Sequence, residues 1–125
     1  MFNVLIADKD VDAWFGVNAL LRRYLIKASF VQNLNAAREY IDNHCPTLLF
    51  LDKQLQENNL KDLMLYVRSK YPQAKIVFIN ACGDRIKSIA SSADLIINKP
   101  LLPDTVERAL QKLLQPQENA AVYAH

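Results

Sequence analysis

Six residues with chemical potential stand where short apolar runs end. Asp8, Lys9 and Asp10 follow "VLIA", Asp52 follows "LLFL", Asn80 closes "KIVFIN", and Lys99 follows "LIIN" and precedes Pro100. A carboxylate placed directly after an apolar run is either paired or reactive, because an isolated charge beside a core is expensive. Which of the two applies depends on whether the fold brings these positions together.

The spacing of the apolar runs answers that. Strand-like stretches recur at "NVLIA" (3–7), "SFVQNL" (29–34), "TLLFL" (47–51), "KIVFIN" (75–80) and "DLIIN" (94–98). Helical periodicity fills the gaps between them. In the first gap Trp14, Val17, Leu21 and Leu25 share a face, with Asp10 placed to cap the helix. The second helix, "NAAREYIDNH" (35–44), stops before Cys45 and Pro46, since proline disfavours helix in the residue before it. The third, about 60–71, sets Leu60, Leu63, Leu65 and Val67 near one side, and a short fourth covers about 84–92. The fifth opens at Pro103 with Asp104 and Glu107 in its first turn and carries Val106, Ala109, Leu110, Leu113 and Leu114 as its buried stripe.

Five strands alternating with five helices predict a single-domain, doubly wound α/β fold with a parallel sheet joined by right-handed crossovers. Strands 1, 3 and 4 are apolar throughout, as central strands covered on both faces must be. Strand 2, with Gln32 and Asn33, suits an edge. Sites in open sheets of this kind lie at the carboxyl ends of the strands, where all six residues fall. The expected domain is 1–115, with 116–125 as a tail or linker stub.

Composition removes several function classes. A net charge of +2 is too small to argue for nucleic acid or a membrane surface, so Arg22, Arg23 and Lys27 are expected to be a solvated helix face. Cys45 and Cys82 lack metal-ligand spacing, and the N-terminus does not resemble a secretion signal, so free thiols in the cytosol are expected. His44 is expected as a surface group at a helix end, and Trp14 as packing against the sheet. Gly16 and Gly83 are the only glycines, so no phosphate-cradling loop exists and neither nucleotide nor flavin is expected. No nucleophile–base pair is visible either, and the chain is not expected to be an enzyme.

The pieces "VLIADKD", "TLLFLDKQL", "IVFINA" and "DLIINKPLLPDTVERAL", in this order, resemble the receiver domain of two-component response regulators, the CheY-like family. The resemblance spans about 2–114. It implies that Asp52 is the phosphoacceptor, taking a phosphoryl group from a histidine kinase or phosphotransfer protein and passing a signal to a downstream partner or output domain. It implies a magnesium site from Asp8, Asp52 and the backbone carbonyl of Gln54. It assigns Lys99 to a phosphoryl oxygen, and Asn80 and Ile96 to the switch positions. Receivers commonly dimerise through helix 4, strand 5 and helix 5, so a homodimer is a further implication.

The chain departs from the family pattern at the positions that matter. Lys9 stands where a second acid is usual, Asn80 where Ser or Thr is usual, Ile96 where an aromatic is usual, and Gln56 and Leu60 where proline and glycine are common. If Lys9 turns inward, its ammonium takes the metal's place; if it turns outward, it is a surface lysine. Two unit charges 4 Å apart interact by roughly 4 kcal/mol at an effective dielectric of about 20, so magnesium is expected to be weak or lost. Cys82, two residues beyond Asn80, is expected to overlook the site as a small inert group, with a redox sensor as the alternative. Two readings stay open: a phosphorelay receiver, and a pseudo-receiver that works as a phosphorylation-independent interaction module.

Overall fold

In the computed structural model, residues 3–52, 55, 57–80 and 93–114 are described, without the side chains of 57–59 and 114. The strands are β1 (Val4–Ala7), β2 (Ala28–Val31), β3 (Leu48–Asp52), β4 (Lys75–Asn80) and β5 (Leu95–Asn98). The helices are α1 (Val11–Arg22), α2 (Leu34–Asn43), α3 (Glu57–Lys70) and α4 (Pro103–Leu114). The short helix expected at 84–92 and the tail expected at 116–125 lie outside the described residues.

All strands are parallel, in the order β2-β1-β3-β4-β5. β1, β3 and β4 are central, and every residue of β1 and β3 is buried, which is why their sequences show no polar alternation. One core lies on the α2–α3 side, around Leu5, Ile41, Leu49, Leu51, Met64 and Phe78. The other lies beneath α1 and α4, around Ile6, Val17, Leu21, Phe50, Ile79 and Val106. Trp14 packs against this second layer and its indole N–H donates to the Ala28 carbonyl at 3.3 Å.

Three local expectations are corrected. β2 ends at Val31 rather than at 34, because Asn33 leaves the strand to cap α2, accepting from the Ala36 N–H at 2.8 Å. In α3 the buried residue is Met64 and not Leu65, which is 53% exposed. Leu25 is not on the buried face of α1 at all; it is 96% exposed, past the helix end.

Leu25 closes α1. The Ile26 N–H bonds the Leu21 carbonyl and the Leu25 N–H bonds the Arg22 carbonyl, the pair of bonds that defines a Schellman ending. That motif needs one residue in the left-handed region, and Leu25 occupies it at φ 60°. A β-carbon there costs roughly 1–2 kcal/mol, and glycine is the usual solution. Leu25→Gly is therefore expected to stabilise the fold by about 0.5–1 kcal/mol in urea unfolding, the strain relieved being partly offset by the freer unfolded chain. A loss of stability would show instead that the leucine side chain makes a contact worth more than the strain.

Candidate acidic site

Register brings the acids together. Ala7 of β1 pairs with Leu51 of β3, so the next residues, Asp8 and Asp52, lie side by side at the top of the sheet. Asp52 pairs with Ile79, which sets Asn80 one step further along, and Asn80 pairs with Asn98. Lys99 follows, its N–H donating to the Asn80 carbonyl at 2.8 Å, and the Lys99–Pro100 peptide is cis. Asp8 is tied down twice: its N–H bonds the Val31 carbonyl at 3.1 Å, and its Oδ1 accepts from the Asp10 N–H at 2.8 Å. Asp10 in turn caps α1 through the Asp12 N–H, as its position predicts.

The cation among these acids is Lys99. Its Nζ stands 3.2 Å from both oxygens of Asp8 and 3.3 Å from Asp52 Oδ2. The side chain of Asp8 is fully buried and that of Asp52 is 1% exposed, while the lysine is 24% exposed. Burial of this kind has a large electrostatic consequence. Desolvation first, then the hydrogen bond and negative charge of Asp52, push the Asp8 carboxyl up to about 6, against the opposing pull of the Asp10 N–H and Lys99. For Lys99, burial alone works against the charged form, but the Asp52 and Asp8 carboxylates outweigh it and hold the ammonium above its ordinary range.

Lys9 does not enter this cluster. Its side chain is exposed and, among the described residues, makes no ion pair; only its carbonyl is engaged, by the Gln32 side-chain amide at 3.3 Å. Of the two alternatives for Lys9, the structure adopts the outward one. Asp8 turns down toward the core, its neighbour in the chain turns the other way, and an ammonium on a long stem stays in water.

A magnesium ion here would meet the Asp8 and Asp52 carboxylates with the Lys99 ammonium beside both. That ion demands near-octahedral oxygen ligation at short range. Asp8 Oδ2 is a buried oxygen without an aligned hydrogen bond, the sort of atom a cation would take, but the Lys99 ammonium already stands beside it. Among the described residues no group of three ligating His, Cys, Asp or Glu side chains occurs. Gln54 and Cys82 lie outside the described residues.

The remaining positions are placed as follows. Asn80 is 4% exposed, and its amide Nδ2 donates to Asn98 Oδ1 at 3.1 Å. Ile96 is 37% exposed on β5. A cleft of about 430 Å³ opens beside Lys99, lined by Asp10, Asp12, Ala13, Lys99, Pro100 and Leu101. Gly16 lets α1 approach the chain at Leu101, since a Cβ there would meet the Leu101 carbonyl oxygen at 2.7 Å. Arg22, Arg23, Lys27 and His44 are exposed, and His44 stacks on Tyr40. Two contributors escaped the sequence reading. Asn98 gave a faint signal, as a polar residue ending an apolar strand; the Asp10 N–H gave none, because backbone donors leave no mark in a sequence.

No family model matches the chain. Response regulator Rre1 of Synechocystis is 26% identical over 97 residues, covering 74% of this chain and 42% of that protein, so the chain spans less than half of this curated relative. The receiver domain of AraT, a response regulator from Geobacillus stearothermophilus, superposes with TM-score 0.80 at 20% identity, covering 96% of this chain and 98% of that one. The receiver domain of NtrX from Brucella abortus does so with TM-score 0.75 at 23% identity, covering 90% and 98%. A parallel sheet in the order β2-β1-β3-β4-β5, with acids at the ends of β1 and β3 and a lysine after β5, is thus the CheY-like fold of response-regulator receiver domains.

Proposed function

We propose that the chain works as the receiver of a two-component phosphorelay, with Asp52 as its phosphoacceptor. The observation that carries this is the placement of the Asp52 carboxylate, at the carboxyl end of a central strand and 3.3 Å from a lysine ammonium. In the proposed step an Asp52 oxygen bonds to phosphorus as the donor's P–N bond to histidine breaks. The imidazole leaves and takes its proton from solvent. Lys99 is positioned to shift from the carboxylate to a phosphoryl oxygen, offsetting the charge that arrives. The donor is a histidine kinase or phosphotransfer protein, and the receiving partner is a downstream protein or an output domain. Among the described residues no helix is long and apolar enough to cross a membrane.

The same reading includes weak magnesium. With Asp8 and Asp52 negative and Lys99 positive, the buried cluster carries one net negative charge, and Lys9 adds a positive charge nearby. A divalent ion therefore meets less attraction than it would with a second acid at position 9.

Incubation with acetyl phosphate, followed by intact mass measurement, tests the assignment. One phosphoryl group is expected on the wild type and none on Asp52→Ala. No gain in the wild type, or a gain that survives in Asp52→Ala, would overturn it and leave the phosphorylation-independent module as the reading.

A further inference from the structure

We infer that the cleft between α1 and the entry to β2 docks a peptide segment of a partner protein, acidic and carrying one large apolar side chain. The inference does not rest on the reading of Asp52 as phosphoacceptor.

Trp14, Asn18 and Arg22 stand one turn apart on α1, and Leu25, Ile26 and Lys27 come from the connection to β2. Together they line about 540 Å³, room for a few side chains. The apolar wall is fixed in advance. Trp14 donates to the Ala28 carbonyl at 3.3 Å, and its ring lies 6.0 Å from that of Phe30. An arriving side chain therefore meets a surface with little freedom left to lose.

The rim is positive. Arg22 and Lys27 are exposed, no acid lines the cleft, and among the described residues neither cation makes an ion pair. Such a rim is complementary to carboxylates on the incoming segment. Leu25 adds a separate argument. It is held at φ 60° with its side chain 96% exposed, so the free chain carries strain and gains no burial from it. Residues kept in unfavourable conformations cluster at binding surfaces, and a leucine here becomes useful once a partner covers it. Asn18 Oδ1 is buried and, among the described residues, accepts no hydrogen bond. Turning this half-buried amide toward a peptide N–H supplies the missing bond. A membrane also offers anions, but it is flat, whereas this surface is concave and holds an acceptor in need of N–H donors.

The site is remote from the acids. α1 begins at Val11, beside them, and Arg22 ends it 12 residues on, about 18 Å along the axis at roughly 1.5 Å per residue. A segment anchored there does not cover Asp52.

The test selects random dodecapeptides displayed on phage against the full chain, without any phosphodonor. Enriched peptides are expected to carry several Asp or Glu around a Leu, Phe or Trp. The most enriched one, labelled with a fluorophore, is then titrated by anisotropy. Its affinity is expected to fall at least tenfold in Arg22→Glu/Lys27→Glu and roughly fivefold in Leu25→Gly, whose fold is checked by urea unfolding. Arg23→Glu, which changes an exposed charge beside the cleft without lining it, is expected to stay within about twofold of wild type. So is Asp52→Ala, which separates this surface from the phosphoacceptor assignment. No enrichment of acidic peptides, an undiminished affinity in Leu25→Gly, or a tenfold loss in Arg23→Glu or Asp52→Ala would overturn the inference. Asn18 side-chain NMR signals that move on dilution of the chain alone would assign the cleft to a second copy instead. Movement of the same signals in Val122→Ser would assign it to the chain's own C-terminal segment. Binding to phosphatidylglycerol vesicles that is lost in Arg22→Glu/Lys27→Glu would overturn it in favour of a membrane.

Discussion

Lys99→Met is expected to destabilise the fold by about 3 kcal/mol near neutral pH, the low end of what breaking a buried ion pair costs. The reason lies in what is left behind. Asp8 and Asp52 are essentially removed from water, and the Lys99 ammonium, 3.2–3.3 Å away, pairs with both. Methionine fills much of the same volume, so lost packing contributes little and the measured change reports charge. The lysine is 24% exposed, so solvent can partly replace it, which is why the lower figure is used. The loss is expected to shrink in acid, where the Asp8 carboxyl, held at about 6, takes up a proton and no longer needs the ammonium. Urea unfolding at neutral and acidic pH reads both effects. A loss below about 1 kcal/mol at neutral pH, in the range of exposed pairs, would show that Lys99 is not the counter-ion of the site.

Asp8→Asn is expected to gain stability over the wild type as pH rises. The folded protein holds the Asp8 carboxyl at about 6, above its ordinary 3.8, so between these values the folded state binds more protons than the unfolded one. Stability from this group is therefore present in full below pH 4, falls as pH climbs through 6, and levels off above 7. A shift of this size corresponds to about 2–3 kcal/mol. Asparagine mimics the neutral acid and still offers an oxygen to the Asp10 N–H. The difference in unfolding free energy between Asp8→Asn and wild type is expected to be near zero at pH 4 and about 2–3 kcal/mol in favour of the variant at pH 8, measured in the presence of a chelator. An advantage independent of pH would mean that Asp8 titrates as an ordinary carboxyl.

Much of this architecture was legible because burial on both faces forces a recognisable composition. "VLIA", "LLFL" and "IVFI" have no polar alternation to confuse them, and they are the three central strands. The positions of Asp8, Asp52 and Lys99 followed from strand ends, which register then placed side by side. What periodicity could not supply was direction. Leu25 fits the apolar spacing of α1 but falls after the chain has reversed hand, so it points into water. Leu65 fits the spacing of α3 equally well, yet Met64 fills the space. Lys9 and Lys99 are both lysines beside a strand-end acid. Nothing in the residue type says which ammonium turns inward; that depends on the alternation after β1 and on the reach of a side chain entering from β5. Asn98 left only a faint mark, as a polar residue ending an apolar strand, since its bond to Asn80 comes from sitting opposite it.

Which cation neutralises the two buried carboxylates decides how this site meets a metal, and a magnesium titration asks this directly. Amide shifts around Asp8, Asp52 and Asn80 would be followed in the wild type and in Lys9→Asp, which restores a second acid and changes the local charge by two. With Lys99 as counter-ion, the wild type is expected to show no saturation in the low millimolar range, while Lys9→Asp binds at least tenfold more tightly. Saturation of the wild type at low millimolar magnesium or below, with the Lys99 side-chain signals released from the carboxylates, would contradict it.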